Sequence, residues 1–283
     1  MTKVPKPPPV RWWDDSPSYL KAYEDIEFLN QNELRPIRLQ LELLKTELAL
    51  QKHDVHSTVV VFGGTRILPP DLAQARVKKQ EALAAKRPKD PKVARDLAIA
   101  RNILAKSKYY QEAREFGRLV SEAGQSGEPK EYVVVTGGGP GVMEAANRGA
   151  FESGAKSIGL NITLPEEQSP NPYITPDLCF QFHYFAIRKM HFMLRAKALV
   201  AFPGGFGTMD ELFEALTLVQ THKVQSLPIV LMGREFWNKV VDFGAFVSEG
   251  LIDPEDVELF HYAETAAEAW EYIRSFWRTN GIG

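Results

Sequence analysis

The chain has 283 residues, 44% of them hydrophobic, with 34 Lys and Arg against 36 Asp and Glu and a formal net charge of -2. That length can bury a substantial core in one large domain with appendages, and the near-neutral balance gives no overall reason to expect nucleic acid or an acidic membrane surface as partner. The single cysteine, Cys179, cannot close an internal disulfide and reads as a small buried hydrophobe, which fits a cytoplasmic protein. Neither a signal peptide nor a bilayer-spanning apolar run is visible.

The first fifteen residues, with Pro5, Pro7, Pro8 and Pro9, predict an extended tail, and Trp12 and Trp13 equip it to dock on a surface. From Ser18 to about Gln51 the leucine stripe at Leu39, Leu41, Leu43, Leu44 and Leu48 predicts a helix. Residues 1–56 are therefore read as a tail and helical extension, and 57–283 as the main domain. Thr58-Val59-Val60-Val61-Phe62 is the expected first strand, buried and parallel, followed by the turn Gly63-Gly64-Thr65-Arg66. Residues 71–108 carry Arg76, Lys78, Lys79, Lys86, Arg87, Lys89 and Lys92. They read either as a basic binding patch or, the preferred reading, as solvated helices broken near Pro88 and Pro91. Helices at about 110–123, 142–152, 184–197, 209–222, 234–248 and 266–278 then alternate with strands at 132–136, 157–162, 178–182, 198–202 and 228–232. Such alternation predicts an α/β fold with a parallel sheet covered on both faces and ligands at the carboxyl ends of its strands.

Two glycine-rich turns stand out: Thr136-Gly137-Gly138-Gly139-Pro140-Gly141-Val142-Met143-Glu144 and Phe202-Pro203-Gly204-Gly205-Phe206-Gly207-Thr208-Met209-Asp210-Glu211. Each joins a strand to an amphipathic helix, where exposed N–H groups and the helix dipole favour an anion such as phosphate. Neither is the dinucleotide fingerprint, because Val142 and Asp210 stand where a third glycine is needed, and no glycine-lysine pair supplies a P-loop. NAD, FAD and ATP hydrolysis are not expected. Blander readings compete at each point. Thr208-Met209-Asp210-Glu211 also fits a capping box, Gly137 to Gly141 also fits a tight connection, and Glu144 gains about 0.3–1 kcal/mol from a helix start in any protein. Arg188 and Lys189 could equally be solvated cations on the 184–197 helix. His183 and His191 lack ligand spacing, so no metal is expected.

Taken in order, Gly137 to Glu144, Arg188-Lys189-Met190 and Pro203 to Glu211 resemble the LONELY GUY family of cytokinin-activating phosphoribohydrolases, formerly mislabelled lysine decarboxylases. The resemblance covers roughly residues 57 to 235; against short members of that family, 71–108 looks like a helical insertion. It implies a Rossmann-like fold, a homodimer or higher homo-oligomer, no cofactor, and hydrolysis of AMP or N6-substituted adenosine 5′-monophosphates to free base and ribose 5-phosphate. It further implies catalytic roles for Arg188, Glu211 and Glu144. The phosphate would be bound by Gly138, Gly139, Gly141, Gly204, Gly205, Phe206, Gly207 and Thr208, with Lys189 as a further substrate contact. Asp210 occupies a position that is often Glu in relatives, and the acid is kept. Cleaving an N-glycosidic bond builds positive charge on the sugar, which suits a carboxylate. The alternative is a nucleotide-binding carrier or sensor on the same fold, without turnover. A decarboxylase would need pyridoxal phosphate on a Schiff-base lysine, for which Lys189 in a surface-patterned helix is poorly suited.

Overall fold

The computed structural model describes residues 13, 16–127, 129–163 and 169–281. The expectation for the tail falls outside these residues except at Trp13, whose ring centroid lies 6.2 Å from that of Tyr19. The described chain divides into two compact units, one ending at Lys45 and the other starting at Thr46. In the first, α1 (Ile26–Leu29) is capped by Asp25, which accepts from the Phe28 N–H at 2.9 Å, and Arg38 donates to the carbonyls of Leu29 and Gln31 at 2.6 and 2.7 Å. The long helix α2 (Arg35–Lys52) continues into the second unit. It is shorter than the 18–51 expectation because Pro36 is tolerated in a first turn but not in a helix interior.

The second unit holds one seven-stranded sheet, all parallel: β1 (Thr58–Phe62), β2 (Val133–Thr136), β3 (Ser157–Ile162), β4 (Cys179–Phe182), β5 (Ala196–Ala201), β6 (Ile229–Met232) and β7 (Phe260–Ala263). Its order is β4-β3-β2-β1-β5-β6-β7, with Val60 in register with both Val135 and Leu199. All five residues of β1 are buried, as its unbroken β-branched run requires of a central parallel strand. The order reverses at β1, so the connections leaving β1 and β5 part in opposite directions and open a crevice at their carboxyl ends.

After β1 the chain forms a helical hairpin, α3 (Pro70–Lys86) and α4 (Pro91–Lys106), each with a proline at its first position, and α4 is capped by Asp90. Then follow α5 (Lys108–Gly124), α6 (Val142–Glu152), α7 (Phe185–Leu194), α8 (Phe206–Gln220), α9 (Arg234–Val240), α10 (Phe243–Ser248) and α11 (Ala266–Asn280). Alternation along β1 splits its side chains. Val59 and Val61 join a core with Phe116 of α5, Ala146 of α6 and Trp270 and Ile273 of α11, whereas Phe62 meets Phe192 of α7 with centroids 4.8 Å apart. Helices α5 and α6 touch backbone to backbone: a Cβ on Gly117 would strike the Ala146 carbonyl, and one on Gly149 the Arg114 carbonyl.

The α/β fold with a covered parallel sheet is thus the one expected. Local features differ. The helix expected at 184–197 ends at Leu194, and Ala196 and Lys197 instead begin β5. The 234–248 helix is two, because the chain is extended at Val241 and Asp242 then caps α10 by accepting from the Ala245 N–H at 3.0 Å. Strand β7 carries little signal, being four residues at the sheet edge with His261 exposed. Cys179 is half-buried, not buried, and desolvation raises its thiol pKa. Among the described residues no helix is long and apolar enough to cross a membrane.

Candidate active site

The crevice beside β1 receives three turns. A cleft of about 330 Å³ is lined by Phe62 at the end of β1 and Gly63 to Thr65 after it, Gly137 and Met143 from the first glycine turn and α6, Phe185 and Arg188 of α7, and Gly205 to Thr208, Asp210 and Glu211 from the second turn and α8. The turn Gly63-Gly64-Thr65 is the contributor that sequence reasoning passed over. Its repeated position, directly after a central strand, was the available signal.

Helix α8 opens with Gly205 as N-cap and Phe206 as first residue, and the Met209 N–H is the one that bonds back to the Gly205 carbonyl, at 3.1 Å. The N–H groups of Phe206, Gly207 and Thr208 therefore precede the first helical bond and form its positive end. A Cβ on Gly205 or Gly207 would meet nothing within 4 Å, whereas one on Gly204 would strike the Thr208 side chain. Gly204 is thus a packing glycine, and the next two leave room for a guest. The capping-box reading fails on the same geometry, because Thr208 is already inside the helix.

Glu211 reaches across to α7 instead. Its Oε1 accepts from Arg188 Nη1 at 3.2 Å, Arg188 Nε donates to the Leu160 carbonyl at 2.7 Å, and the guanidinium lies 5.0 Å from the Phe192 ring centroid. The two side chains are 8% and 12% exposed, Glu211 being the more buried. Burial pushes the Glu211 carboxyl up to about 7, outweighing the downward pull of Arg188 and Lys189, and burial also lowers the Arg188 pKa. The floor of the cleft thus holds a desolvated ion pair whose carboxylate exchanges its proton near neutral pH.

The other expected residues are placed differently. Lys189 is engaged by Asp210 at 2.9 Å and Glu214 at 3.0 Å. Burial opposes its charge, but those partners hold its pKa above the ordinary value. Glu144 does not line the cleft; its Oε1 accepts from the Tyr110 hydroxyl at 2.8 Å, and burial together with this contact pushes Tyr110 up to about 12. Gly138 and Gly141 have φ of +77° and +73°, with Asn161 and the Gly64–Thr65 backbone packed where a Cβ would stand. The Gly138 and Gly139 carbonyls lie 3.2 and 3.1 Å from Asn171 Nδ2, which is also 3.0 Å from Asn147 Oδ1. Thr136 donates to that same Asn147 oxygen at 2.8 Å and accepts from the Gly138 N–H at 3.0 Å. Residues 138, 139 and 141 thus shape the first turn, and Gly137 is its glycine that faces the cleft. Among the described residues no group of three or more His, Cys, Asp or Glu is gathered to hold a metal.

Behind the α8 start lies an apolar groove of about 610 Å³ with Met209, Phe213, Val240, Val241 and Phe246, which shares Gly205 and Phe206 with the cleft. Phe206 is 96% exposed on the rim between them. Its ring offers a phosphate nothing, so an anion at this position would be held by the Phe206 N–H.

Residues 143–273 match the family model described as possible lysine decarboxylase. The chain is similar to the probable cytokinin riboside 5′-monophosphate phosphoribohydrolase LOG4 of Oryza sativa subsp. japonica, 28% identical over 54% of this chain and 67% of the relative. It is also similar to the pyrimidine/purine nucleotide 5′-monophosphate nucleosidase of Escherichia coli (strain K12), 32% identical over 37% of this chain and 25% of the relative. Among solved structures it is similar to the molybdenum cofactor carrier protein of Chlamydomonas reinhardtii, 25% identical, covering 59% of this chain and 87% of that one with a TM-score of 0.42. The matched segment carries Arg188, Glu211 and the second glycine turn, and over it the chain is similar to the cytokinin riboside 5′-monophosphate phosphoribohydrolases.

Proposed function

We propose that residues 57–283 form a catalytic domain that hydrolyses the N-glycosidic bond of a nucleoside 5′-monophosphate, AMP or an N6-substituted relative, to free base and ribose 5-phosphate. The observation that carries this reading is the buried Arg188–Glu211 pair, 3.2 Å apart, in the same cleft as the leading N–H groups of α8. The 5′-phosphate sits on the N–H groups of Phe206, Gly207 and Thr208, beside the open space at Gly205 and Gly207. That anchor fixes the ribose, so its binding energy serves orientation at the reacting carbon. Ionised Glu211 faces the cationic sugar that develops as the C1′–N bond breaks and takes a proton from the water whose oxygen bonds to C1′, while the base departs with the electron pair of the broken bond and takes up a solvent proton at its nitrogen. Arg188, fixed by Leu160, holds the carboxylate in place and meets the sugar or phosphate.

The names of the curated relatives, nucleotide 5′-monophosphate hydrolases, support the substrate class. The working particle is a homodimer or larger homo-oligomer built on α7, whose Phe185, Met190 and Leu194 are 52%, 45% and 54% exposed. The test is incubation with AMP, an N6-substituted AMP and adenosine, followed by chromatographic separation of base from nucleotide. Release of adenine from AMP with adenosine nearly inert is expected. Equal kcat/KM for the nucleoside would refute the phosphate anchor, and tight AMP binding without product would reassign the cleft to a carrier.

A further inference from the structure

Charge is unevenly distributed along this chain. Residues 70–108, the α3–α4 hairpin and the start of α5, hold eleven Lys and Arg against four Asp and Glu, whereas residues 249–271 hold eight Asp and Glu and no Lys or Arg. A chain of net charge -2 therefore carries two regions of strongly opposed charge. On the hairpin, Lys78, Lys79, Lys86 and Arg87 are all exposed; among the described residues its recorded ion pairs are Arg101–Glu81 and Arg95–Asp96, at 2.9 and 3.4 Å. In the acidic belt, Glu271 is held by Arg274 and Arg278 and Glu268 by its capping box, but Glu249, Glu255 and Glu258 project into solvent.

We propose that the hairpin and this belt are the two halves of a self-complementary surface through which one copy of the chain docks on a second. The regions adjoin at Lys108 and Glu264, whose Nζ and Oε2 lie 3.8 Å apart with both side chains at least half exposed. Opposite charges side by side on one molecule are what a two-fold axis can use, because the rotation sets each hairpin on the other copy's belt and makes both contacts at once. Leu72 and Ile99, 54% and 40% exposed on the hairpin, add apolar area to the same contact. A nucleic acid fits less well: its phosphates would gain the hairpin and meet eight carboxylates beside it. This contact uses neither the cleft nor α7.

The test is light scattering on the full chain at about 0.05 M and about 1 M salt, where screening lengths fall from more than about 10 Å to about 3 Å. The expected result is that subunits per particle fall about twofold at high salt. The variant Lys78→Glu/Lys79→Glu/Lys86→Glu/Arg87→Glu and the variant Glu249→Lys/Glu255→Lys/Glu258→Lys each give the smaller particle at low salt. An equimolar mixture of the two restores the larger one, because each then offers the sign the other lacks, and AMP turnover in both equals wild type. A particle size unmoved by salt and by both variants overturns the proposal. So does single-stranded DNA binding that is lost in the hairpin variant while particle size stays the same. Loss of AMP turnover in wild type bears on the cleft and leaves this result readable.

Discussion

Replacing Glu211 by Gln removes one titration from a buried site and leaves its shape nearly unchanged. Burial raises that carboxyl from 4.5 to about 7, so in the intervening window the folded chain holds a proton that the unfolded chain has released. The folded-state pKa is the higher one; the associated stability is fully present below 4.5 and lost as pH rises through 7. At about 1.4 kcal/mol per pH unit the displacement amounts to about 3 kcal/mol. The Arg188 attraction is already part of that shifted pKa, because the pair exists only while Glu211 is ionised, and only pH-independent packing differences between Glu and Gln add a constant offset. The measurable quantity is therefore the difference between wild-type and Glu211→Gln unfolding free energies, from denaturant titrations at one protein concentration across pH 4 to 8. Relative to the variant, the wild type should lose about 3 kcal/mol across that range, most of it between 4.5 and 7. Parallel curves would show that Glu211 titrates as an ordinary carboxylate and that the cleft floor is wet.

The kinetic counterpart is that kcat/KM for AMP rises with pH through an apparent pKa near 7, as the ionised carboxylate forms, and Glu211→Gln lowers kcat by about 100-fold or more; a flat profile with full activity would remove Glu211 from catalysis. Gly205→Ala should keep wild-type stability within about 0.5 kcal/mol yet weaken ribose 5-phosphate binding, because its Cβ meets only open space in the cleft, whereas Gly204→Ala should destabilise by about 1–3 kcal/mol through collision with Thr208. Unaltered binding in Gly205→Ala, measured by calorimetry, would move the phosphate elsewhere. Arg188→Lys should cut kcat/KM by about 100-fold or more, since one ammonium cannot reproduce the fork that serves Leu160 and Glu211 together; unchanged steady-state kinetics would refute this. Asn171→Ala should cost about 1–3 kcal/mol by removing the side-chain donor to the Gly139 carbonyl, while the Gly138 carbonyl keeps the residue-171 N–H at 2.9 Å, and an unchanged urea midpoint would show that the first turn holds itself.

What the sequence made legible followed from local chemistry. The bounds of β1 and α6 coincide with the expected ones because a β-branched run and a glycine turn mark them without outside help. The start of α8 was hidden: Thr208 and Glu211 have capping-box spacing, but Gly205 takes the cap and a partner 23 positions away takes the carboxylate. The same holds within the site. Arg188, Glu211 and the second turn could be named from motif, whereas Asn171 acts on carbonyls 32 and 33 positions distant and Leu160 through its main chain, neither of which leaves a mark in side-chain pattern. β7 was illegible for another reason, since an edge strand half open to water need not be apolar.

The glycine contacts that set α5 against α6 bear on how the chain tolerates change. With Gly117 on Ala146 and Gly149 on Arg114, the two helices mesh like a keyed joint whose seating is fixed along its own length, independently of what precedes Lys108. Because α6 begins at the first glycine turn, that joint sets the turn's position from the far side of the sheet's carboxyl edge. The segment from Pro70 to Lys106 can then be lengthened, shortened or recharged as a cassette without retuning the chemistry, while any side chain at 117 or 149 would unseat it. A fold keyed in this way separates the part of the chain free to acquire new contacts from the part that must stay still.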